Sequence, residues 1–344
     1  MAVIGMVLSA CGNASIYPLA EPGPYFPGIR AYTFFDPARG GREVNISVWY
    51  PAIQPEGYTG TVSRDAEPVR DGAPYPLILS SNKVGRLFAA HMVSHGFVYV
   101  GVDDIDTYEP WDENLVDQPL DLLFALEQVA YPQLEGMDGM IDAERTGVMG
   151  YSFDGYNALA LSGARIDPEY YLSQCAQVAT MEPPLSEWRI WYFCNLATRW
   201  NAFAAHAGEG LTASDDGLWQ PITDERILAV MPMGPEGAWL FGERGLAAVD
   251  RPILIIVGAE DTATPYETEA VYIYEHLGTP DKTLVSVVGE GHMMIYDDAQ
   301  VLRMKHFALG FFGYHLQGQE AYTRQFSRWF VFWQEGLTWG VVDK

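Results

Sequence analysis

Three residues that can act together as a nucleophile, a base and an orienting acid each follow an apolar stretch of the chain. Ser152 follows TGVMGY, Asp261 follows ILIIVGAE, and His292 follows TLVSVVGEG. A serine hydroxyl becomes a nucleophile when a neighbouring imidazole accepts its proton, and a carboxylate fixes that imidazole and stabilises its charged form. The sequence therefore predicts acyl transfer at Ser152, with His292 as the base and Asp261 as the acid.

The segment around Ser152 reads VMGYSFDG and predicts a sharp turn from a strand into a helix. Such a turn exposes the serine hydroxyl and needs small residues two positions before and two positions after it. Gly150 meets the first requirement, whereas Asp154 stands at the second position and is followed directly by Gly155. A carboxylate is stabilised by the dipole at a helix N-terminus. We interpret the segment as a working turn in which the second small residue has been replaced.

Acyl transfer also needs two N–H donors for the negative oxygen of the transition state, and each contributes about 3 kcal/mol. Phe153, the residue after the nucleophile, is expected to supply one of them at the start of the helix. The other is expected from the loop after the apolar run PLILS, where SSNKVGR leads into a helix, with Val84 as the candidate. Both predicted donors are backbone groups, so the side chains at these two positions are free to vary.

Strands and helices alternate from residue 44 onward, which predicts an α/β protein with a mainly parallel, twisted sheet flanked by helices. The predicted strands are Val44–Tyr50, Leu77–Leu79, Phe97–Val102, Thr146–Met149, Ile227–Met231, Ile253–Val257 and Thr283–Val288. The predicted helices are Arg86–Ser94, Leu115–Ala130, Gly155–Leu161, Pro265–His276 and Ala299–Leu316. Because the carboxyl ends of parallel strands share one edge of a sheet, Ser152, Asp261 and His292 are expected to meet there.

Two regions depart from this alternation. Ala164–Glu225 is too long for a simple connection and is rich in aromatic residues, which predicts an inserted helical cap. The C-terminal tract Tyr322–Trp339 is expected to form an amphipathic helix that seals one edge of the fold. We therefore divide the chain into a lipoprotein-like signal remnant and tether over residues 1–27 and one domain over residues 28–344, with the cap at about residues 164–225.

The run VLSAC, which ends at Cys11, resembles the lipobox of bacterial lipoproteins, in which the chain is cut before a cysteine that then carries lipid. The apolar segment before it is too short to span a bilayer, and no Lys or Arg precedes it. We expect an exported bacterial protein anchored by lipid at Cys11, with a cytoplasmic protein as the alternative. Export would allow a disulfide between Cys175 and Cys194, for which two buried thiols are the alternative.

The chain is strongly acidic, with 45 acidic and 20 basic residues and a formal net charge of −25. This charge repels phosphate backbones, so nucleic acid is excluded as a partner, and we interpret the acidity as an aid to solubility. A site built from serine, histidine and aspartate needs neither a metal nor an organic cofactor, and we predict none.

From about Asp36 to Leu316 the chain resembles the α/β-hydrolase (alpha/beta-hydrolase) superfamily, in particular its dienelactone-hydrolase-like and platelet-activating-factor-acetylhydrolase-like esterases. The motifs that carry the resemblance are REVNISVWYPA, SNKVG, SHGFVYVGVDD, GYSFDG, EDTATP and GEGH. It implies an α/β-hydrolase fold with Ser152 as nucleophile, Asp261 as acid, His292 as base, and the N–H groups of Val84 and Phe153 as oxyanion donors. Dienelactone hydrolases proper use a cysteine nucleophile, and Asn82-Lys83 replaces the His-Gly pair of the family's oxyanion loop.

These features predict a serine carboxylesterase that forms an acyl-enzyme with small to medium soluble esters. Hydrolysis of polyesters in the manner of cutinases, and cleavage of amides or peptides, use the same constellation and are the enzymatic alternatives. A noncatalytic lipoprotein that uses the hydrolase scaffold for binding is the alternative from a different class. Labelling of Ser152 by a fluorophosphonate would distinguish the enzymes, which should react, from this binding protein, which should not.

Overall fold

The computed structural model describes residues 16–103, 110–131, 134–181 and 184–342. Cys11 and the apolar segment before it lie outside the described residues. In the described part of the chain, ten strands form a single sheet. The strands are Phe26–Asp36 (β1), Arg42–Ala52 (β2), Ser63–Arg64 (β3), Tyr75–Ser81 (β4), Val98–Val102 (β5), Ile141–Tyr151 (β6), Ile227–Met233 (β7), Ile253–Gly258 (β8), Lys282–Val287 (β9) and Leu337–Trp339 (β10).

The sheet is mixed and mostly parallel, in the order β10-β9-β8-β7-β6-β4-β5-β2-β1-β3. The six strands from β9 to β5 in this order all run parallel. At one side β2 pairs antiparallel with β5 and β1 pairs antiparallel with β2, while at the other side β10 pairs antiparallel with β9. The predicted α/β class with a mainly parallel sheet is therefore confirmed.

Helices of very different length connect the strands and flank the sheet. The α-helices are Asn82–Ser94 (α1), Asn114–Ala130 (α2), Phe153–Leu161 (α3), Pro168–Gln177 (α4), Glu187–Cys194 (α5), Trp200–Ala207 (α6), Glu209–Thr212 (α7), Ala238–Leu246 (α8), Tyr272–His276 (α9), Asp298–Gln317 (α10) and Arg328–Phe332 (α11). None of the described helices has the length and apolar character that crossing a bilayer requires.

The two faces of the sheet carry separate apolar cores, because successive side chains of a strand point to opposite faces. Leu77 and Leu79 of β4 belong to the core that also contains α2, α3 and α8, whereas Ile78 belongs to the core formed with α1 and α10. Strands buried on both faces are apolar at consecutive positions, which is why the central strands could be located from short apolar runs. Every strand predicted from the sequence overlaps a strand of this sheet.

Helix α1 begins four residues before the predicted start at Arg86. The Ser81 side chain caps it, since the Val84 N–H donates to Ser81 Oγ at 3.3 Å. Ser81 is also the last residue of β4, so the strand passes directly into the helix without a separate loop. The loop expected between the apolar run and Arg86 is therefore absent, because Ser81 both ends the strand and caps the helix.

The prediction of one amphipathic helix over Tyr322–Trp339 is wrong. The tract contains part of a 3-10 helix that ends at Arg324, the short helix α11 and the strand β10. Gly336 adopts φ +74 in the turn between α11 and β10, where the chain reverses into the strand. The tract still covers an edge of the sheet, because β10 pairs with β9.

The N-terminal end of the described chain packs on the domain. A 3-10 helix at Pro18–Ala20 buries Leu19, whose N–H donates to His306 Nδ1 at 3.1 Å. The strand β1 then starts at Phe26 and forms a long antiparallel pair with β2. Of the residues assigned to the tether, those from Tyr17 onward thus contact the body of the protein.

The long insertion between α3 and β7 is helical and contains α4, α5, α6 and α7. A disulfide joins Cys175 in α4 to Cys194 in α5. The aromatic side chains of the insertion form a continuous cluster, in which Phe193 packs on Trp111 and Trp239 of the main body. The disulfide therefore links two helices within the insertion, and the aromatic cluster packs the insertion on the core of that face of the sheet.

We predict that Gly147 in β6 is required for the close packing of α10 on the sheet. A Cβ atom at this position would lie 2.6 Å from a ring carbon of the fully buried Phe312. Gly147→Ala is therefore expected to lower the free energy of unfolding by about 1–3 kcal/mol. Adding Phe312→Leu should cost less than the sum of the two single changes, because it makes room for the methyl group.

Urea denaturation of the two single variants and the double variant measures this coupling. The matched control is Gly210→Ala in α7, where nothing lies within 4 Å of the new Cβ, and it should be neutral or slightly stabilising. Strictly additive effects of Gly147→Ala and Phe312→Leu would contradict the proposed contact.

Candidate active site

Four loops at one edge of the sheet bring the predicted site residues together. Ser152 follows β6, Gly234 follows β7, Asp261 comes three residues after β8, and His292 comes five residues after β9. All four strands are parallel, so these residues share the edge formed by the carboxyl ends. In open α/β sheets this edge is where ligands bind.

Ser152 lies in the sharp corner between β6 and α3, with φ 61° and ψ −121°. A positive φ is rare for a residue with a side chain and is stabilised here by its neighbours. The Ser152 N–H donates to the Met233 carbonyl at 3.0 Å, and the Ser152 carbonyl accepts from the Tyr156 N–H at 3.1 Å. At Gly150 a Cβ atom would lie 1.8 Å from the Asp154 carbonyl oxygen, so only glycine fits against the first turn of α3.

The side chains of Ser152, His292 and Asp261 form a continuous chain of hydrogen bonds. His292 Nε2 lies 2.9 Å from Ser152 Oγ, and His292 Nδ1 lies 2.8 Å from Asp261 Oδ2. Since the carboxylate can only accept, Nδ1 carries the proton and donates to Asp261, which leaves Nε2 to accept from the serine hydroxyl. In this arrangement the imidazole can take the proton of a serine that attacks a carbonyl carbon. We call these residues the Ser–His–Asp chain.

Asp261 is buried and held by its own loop. Its Oδ1 accepts from the N–H groups of Ala263 and Thr264 at 2.9 and 3.0 Å. The Thr264 hydroxyl lies 3.0 Å from Asp261 Oδ2 and 3.2 Å from the Gly234 carbonyl oxygen. Glu260, the acid next to it in the sequence, is exposed instead. The geometry thus places Asp261, and not Glu260, beside the imidazole.

Two contacts that the sequence analysis missed fix the position of His292. Thr264 Oγ1 lies 3.3 Å from His292 Nδ1, and the Tyr151 hydroxyl donates to the His292 carbonyl. Burial raises the pKa of Tyr151, so its hydroxyl keeps the proton that it donates. Thr264 belongs to the EDTATP motif and Tyr151 directly precedes Ser152, but their partners lie far away in sequence and could not be inferred from local pattern.

Asp154, which occupies the position of the expected small residue, is buried with 3 % of its surface exposed. Its Oδ2 accepts from Ser81 Oγ at 2.8 Å and lies 3.5 Å from Lys83 Nζ, and its Oδ1 lies 3.4 Å from Asn157 Nδ2. The carboxylate therefore ties the start of α1 to the start of α3. Its backbone carbonyl, and not its side chain, occupies the space beside Gly150.

The two predicted oxyanion donors have different surroundings. Phe153 is the first residue of α3, and the N–H groups in the first turn of a helix have no acceptor within the helix. The Val84 N–H already has an acceptor, because it donates to Ser81 Oγ within the first turn of α1. Asn82 and Lys83 come before Val84 in that turn and carry N–H groups of the same kind.

A buried carboxyl group, Glu236, lies close to the Ser–His–Asp chain and was not identified from the sequence. Only 2 % of its surface is exposed, and its Oε1 accepts from the Tyr192 hydroxyl of α5 at 3.1 Å. Burial raises the pKa of Glu236 to about 7. The hydrogen bond from Tyr192 and the electrostatic interaction with His292 lower this pKa, but by less than burial raises it. The signal that could have found it is the polar segment GPEG directly after an apolar strand.

Beside His292 the surface forms an open depression of about 600 Å³. The side chains that line it include Glu260, Glu290, Met293, Tyr296 and Asp297. Met293 and Tyr296 are largely exposed. The lining of this depression therefore combines acidic and apolar side chains.

Neither protein-family models nor curated proteins give a match to this chain. Within the described residues, no group of three or more His, Cys, Asp or Glu side chains is arranged to hold a metal ion. The interpretation of the site therefore depends on its geometry.

We predict that Asp154 stabilises the junction of α1 and α3. Asp154→Ala should lower the free energy of unfolding by about 1–3 kcal/mol, because Ser81 and Lys83 lose a buried acceptor. Asp154→Asn keeps an acceptor oxygen and should cost less. The matched control is Asp142→Ala, which removes a more exposed ion pair with Arg145 and should change stability by less than about 1 kcal/mol. Equal losses in Asp154→Ala and Asp142→Ala, measured by urea denaturation, would contradict this role.

A second prediction concerns pH. Because the pKa of Glu236 is about 7 in the folded protein and 4.5 ordinarily, the unfolded chain loses this proton first, and stability falls as pH rises from about 4.5 through 7. Glu236→Gln does not titrate and should lack this loss. The free energy of unfolding of Glu236→Gln minus that of the native chain is therefore expected to rise by roughly 3 kcal/mol between pH 4 and pH 8. Urea titrations at both pH values, with exposed Glu260→Gln as control, measure the difference, and a pH-independent difference would refute it.

Proposed function

We propose that this protein is a serine hydrolase that cleaves carboxylic esters through an acyl-enzyme. The observation that carries the proposal is the Ser–His–Asp chain, with bonds of 2.9 and 2.8 Å, at the carboxyl edge of a mostly parallel sheet. The strained backbone of Ser152 supports it further, since non-glycine residues with such φ values cluster at functional sites.

In the proposed first half-reaction, Ser152 Oγ attacks the ester carbonyl while His292 Nε2 accepts its proton. The imidazolium then donates this proton to the departing alcohol oxygen, and the acyl group stays bonded to Ser152 Oγ. In the second half-reaction His292 accepts a proton from water, whose oxygen attacks the acyl carbon, and returns a proton to Ser152 as the acid leaves. Asp261 remains ionised and stabilises the charged imidazole throughout.

The negative oxygen of the tetrahedral intermediate is assigned to the N–H of Phe153 and to a second N–H in the first turn of α1. Val84 is the candidate for the second donor, and in the absence of substrate its N–H donates to Ser81 Oγ. The contact between Ser81 and Asp154 keeps these two helix starts at a fixed separation. Asp154 therefore has a positioning role in this proposal.

We further propose that the fold is that of the α/β-hydrolases. The residues occur in the order Ser, Asp, His along the chain, and each follows a parallel strand, as in that fold. The serine lies in a strand-to-helix corner between β6 and α3, which is the position of the nucleophile in these enzymes.

The insertion at residues 164–225 is proposed to act as a cap over the site. Two side chains of α5 reach the edge where the Ser–His–Asp chain lies: Tyr192 donates to Glu236, and Arg189 donates to the carbonyl of Thr262, next to Asp261. A covered site with aromatic surroundings favours small to medium esters over polymer chains. The acidic side chains of the depression beside His292 favour neutral esters over anionic ones.

The proposal predicts that Ser152→Ala abolishes ester hydrolysis. Turnover of p-nitrophenyl esters from acetate to palmitate should fall by about 10⁴-fold or more, because no nucleophile remains. The native chain should prefer the shorter acyl groups and should be labelled by a fluorophosphonate at Ser152. The matched control, Ser47→Ala in β2, should retain both turnover and labelling.

The same panel separates the alternatives. Faster turnover of a p-nitroanilide than of the matching ester would favour an amidase, and preference for the longest chains or for a polyester film would favour the cutinase type. A native chain that is neither labelled nor active would refute the hydrolase and favour a binding protein.

A further inference from the structure

Three aromatic side chains near the C-terminal end of the chain are largely exposed. Trp329, Phe332 and Trp333 have 69, 69 and 66 % of their surface accessible. They are spaced i, i+3 and i+4, so they lie on one face of α11 and its end. Their rings contact one another, with centroids 5.2 to 5.9 Å apart. We call them the aromatic patch.

The patch is held firmly by the residues between its members. Val331 is buried, and Phe330 stacks on His306 with ring centroids 4.6 Å apart. Because these two side chains fix the helix to α10, the aromatic patch cannot turn inward to bury its own surface. Three aromatic side chains exposed to this degree present about 400 Å² of apolar area, within the range that marks a functional surface on a monomer.

The chain enters the described structure beside this patch. Tyr17 packs on Phe330 with ring centroids 6.2 Å apart, and Ile16 is 69 % exposed. Cys11, the predicted site of lipid attachment, comes only five residues before Ile16. Five extended residues span about 17 Å at most. A lipid on Cys11 would therefore lie within this distance of Ile16, the residue before the Tyr17 ring that packs on Phe330.

Two basic residues precede the patch in the sequence. Arg324 and Arg328 lie five residues and one residue before Trp329, in a chain whose net charge is −25. Both arginines are exposed. Tryptophan is enriched where proteins meet the headgroup layer, and arginine beside it can contact lipid phosphates.

We propose that the aromatic patch docks on the surface of a neutral, zwitterionic bilayer and is the second of two membrane contacts, the first being lipid at Cys11. The patch would add apolar area buried at the bilayer surface to the area that the lipid itself buries. The strongly acidic body keeps the protein from anionic surfaces, so the contact depends on the aromatic rings. This inference is independent of the proposed esterase activity.

Flotation with phosphatidylcholine vesicles tests the proposal on the full chain and on its Cys11→Ser form, which cannot be acylated there. In the Cys11→Ser background, the combined change Trp329→Ser, Phe332→Ser and Trp333→Ser should lower the vesicle partition coefficient at least tenfold. Brominated lipid should quench part of the tryptophan fluorescence before this change and less of it afterwards.

The matched control replaces three exposed apolar residues elsewhere on the surface, Phe35 in β1, Ile53 after β2 and Tyr131 after α2, with serine. It should bind vesicles like its parent, and circular dichroism should show that all variants are folded. Equal partition of the patch variant and its parent would overturn the proposal. Failure of the Cys11→Ser parent to bind the vesicles would also overturn it. This includes the case in which the parent is a dimer that the patch substitutions dissociate.

Discussion

The contact between Gly150 and the first turn of α3 sets the geometry of the whole site. A side chain at residue 150 would collide with the Asp154 carbonyl, so the helix can start this close to β6 only beside glycine. The close start forces Ser152 into its positive φ and directs its hydroxyl to His292. The same corner places Phe153 at the helix N-terminus and buries the Asp154 side chain against α1. One steric constraint thus orients a hydroxyl, an N–H group and a carboxylate.

The parts of the fold that were predictable are those encoded by local pattern. The strands buried on both faces are short apolar runs, and the site residues follow three of them, so both the sheet and the meeting of Ser152, Asp261 and His292 could be expected. The strand β1 was missed, because only part of it is buried and it lacks such a run. The contact of Ser81 with Asp154 spans 73 residues, and that of Tyr192 with Glu236 spans 44, so neither has a local signal.

Carboxyl groups at this edge of the sheet differ in the donors that surround them. Asp261 accepts from two backbone N–H groups, the Thr264 hydroxyl and the imidazole, which together hold its carboxylate in place beside the histidine. Glu236 accepts from the Tyr192 hydroxyl, and burial raises its pKa to about 7. Two carboxyl groups in neighbouring loops thus have different surroundings: one is held by its own loop and the imidazole, and the other is buried beneath α5.

The disulfide between Cys175 and Cys194 makes the protein's covalent state depend on where it is made. A host cytosol that keeps thiols reduced would yield a chain in which α4 and α5 are not linked. Material purified from such a host would differ from oxidised protein in intact mass by the hydrogens of two thiols. Since the chain has three cysteines and two are bonded to each other, Cys11 is the one remaining cysteine of the oxidised protein, and it would react with a thiol reagent only where it carries no lipid. The redox history of a preparation therefore has to be known before two preparations are compared.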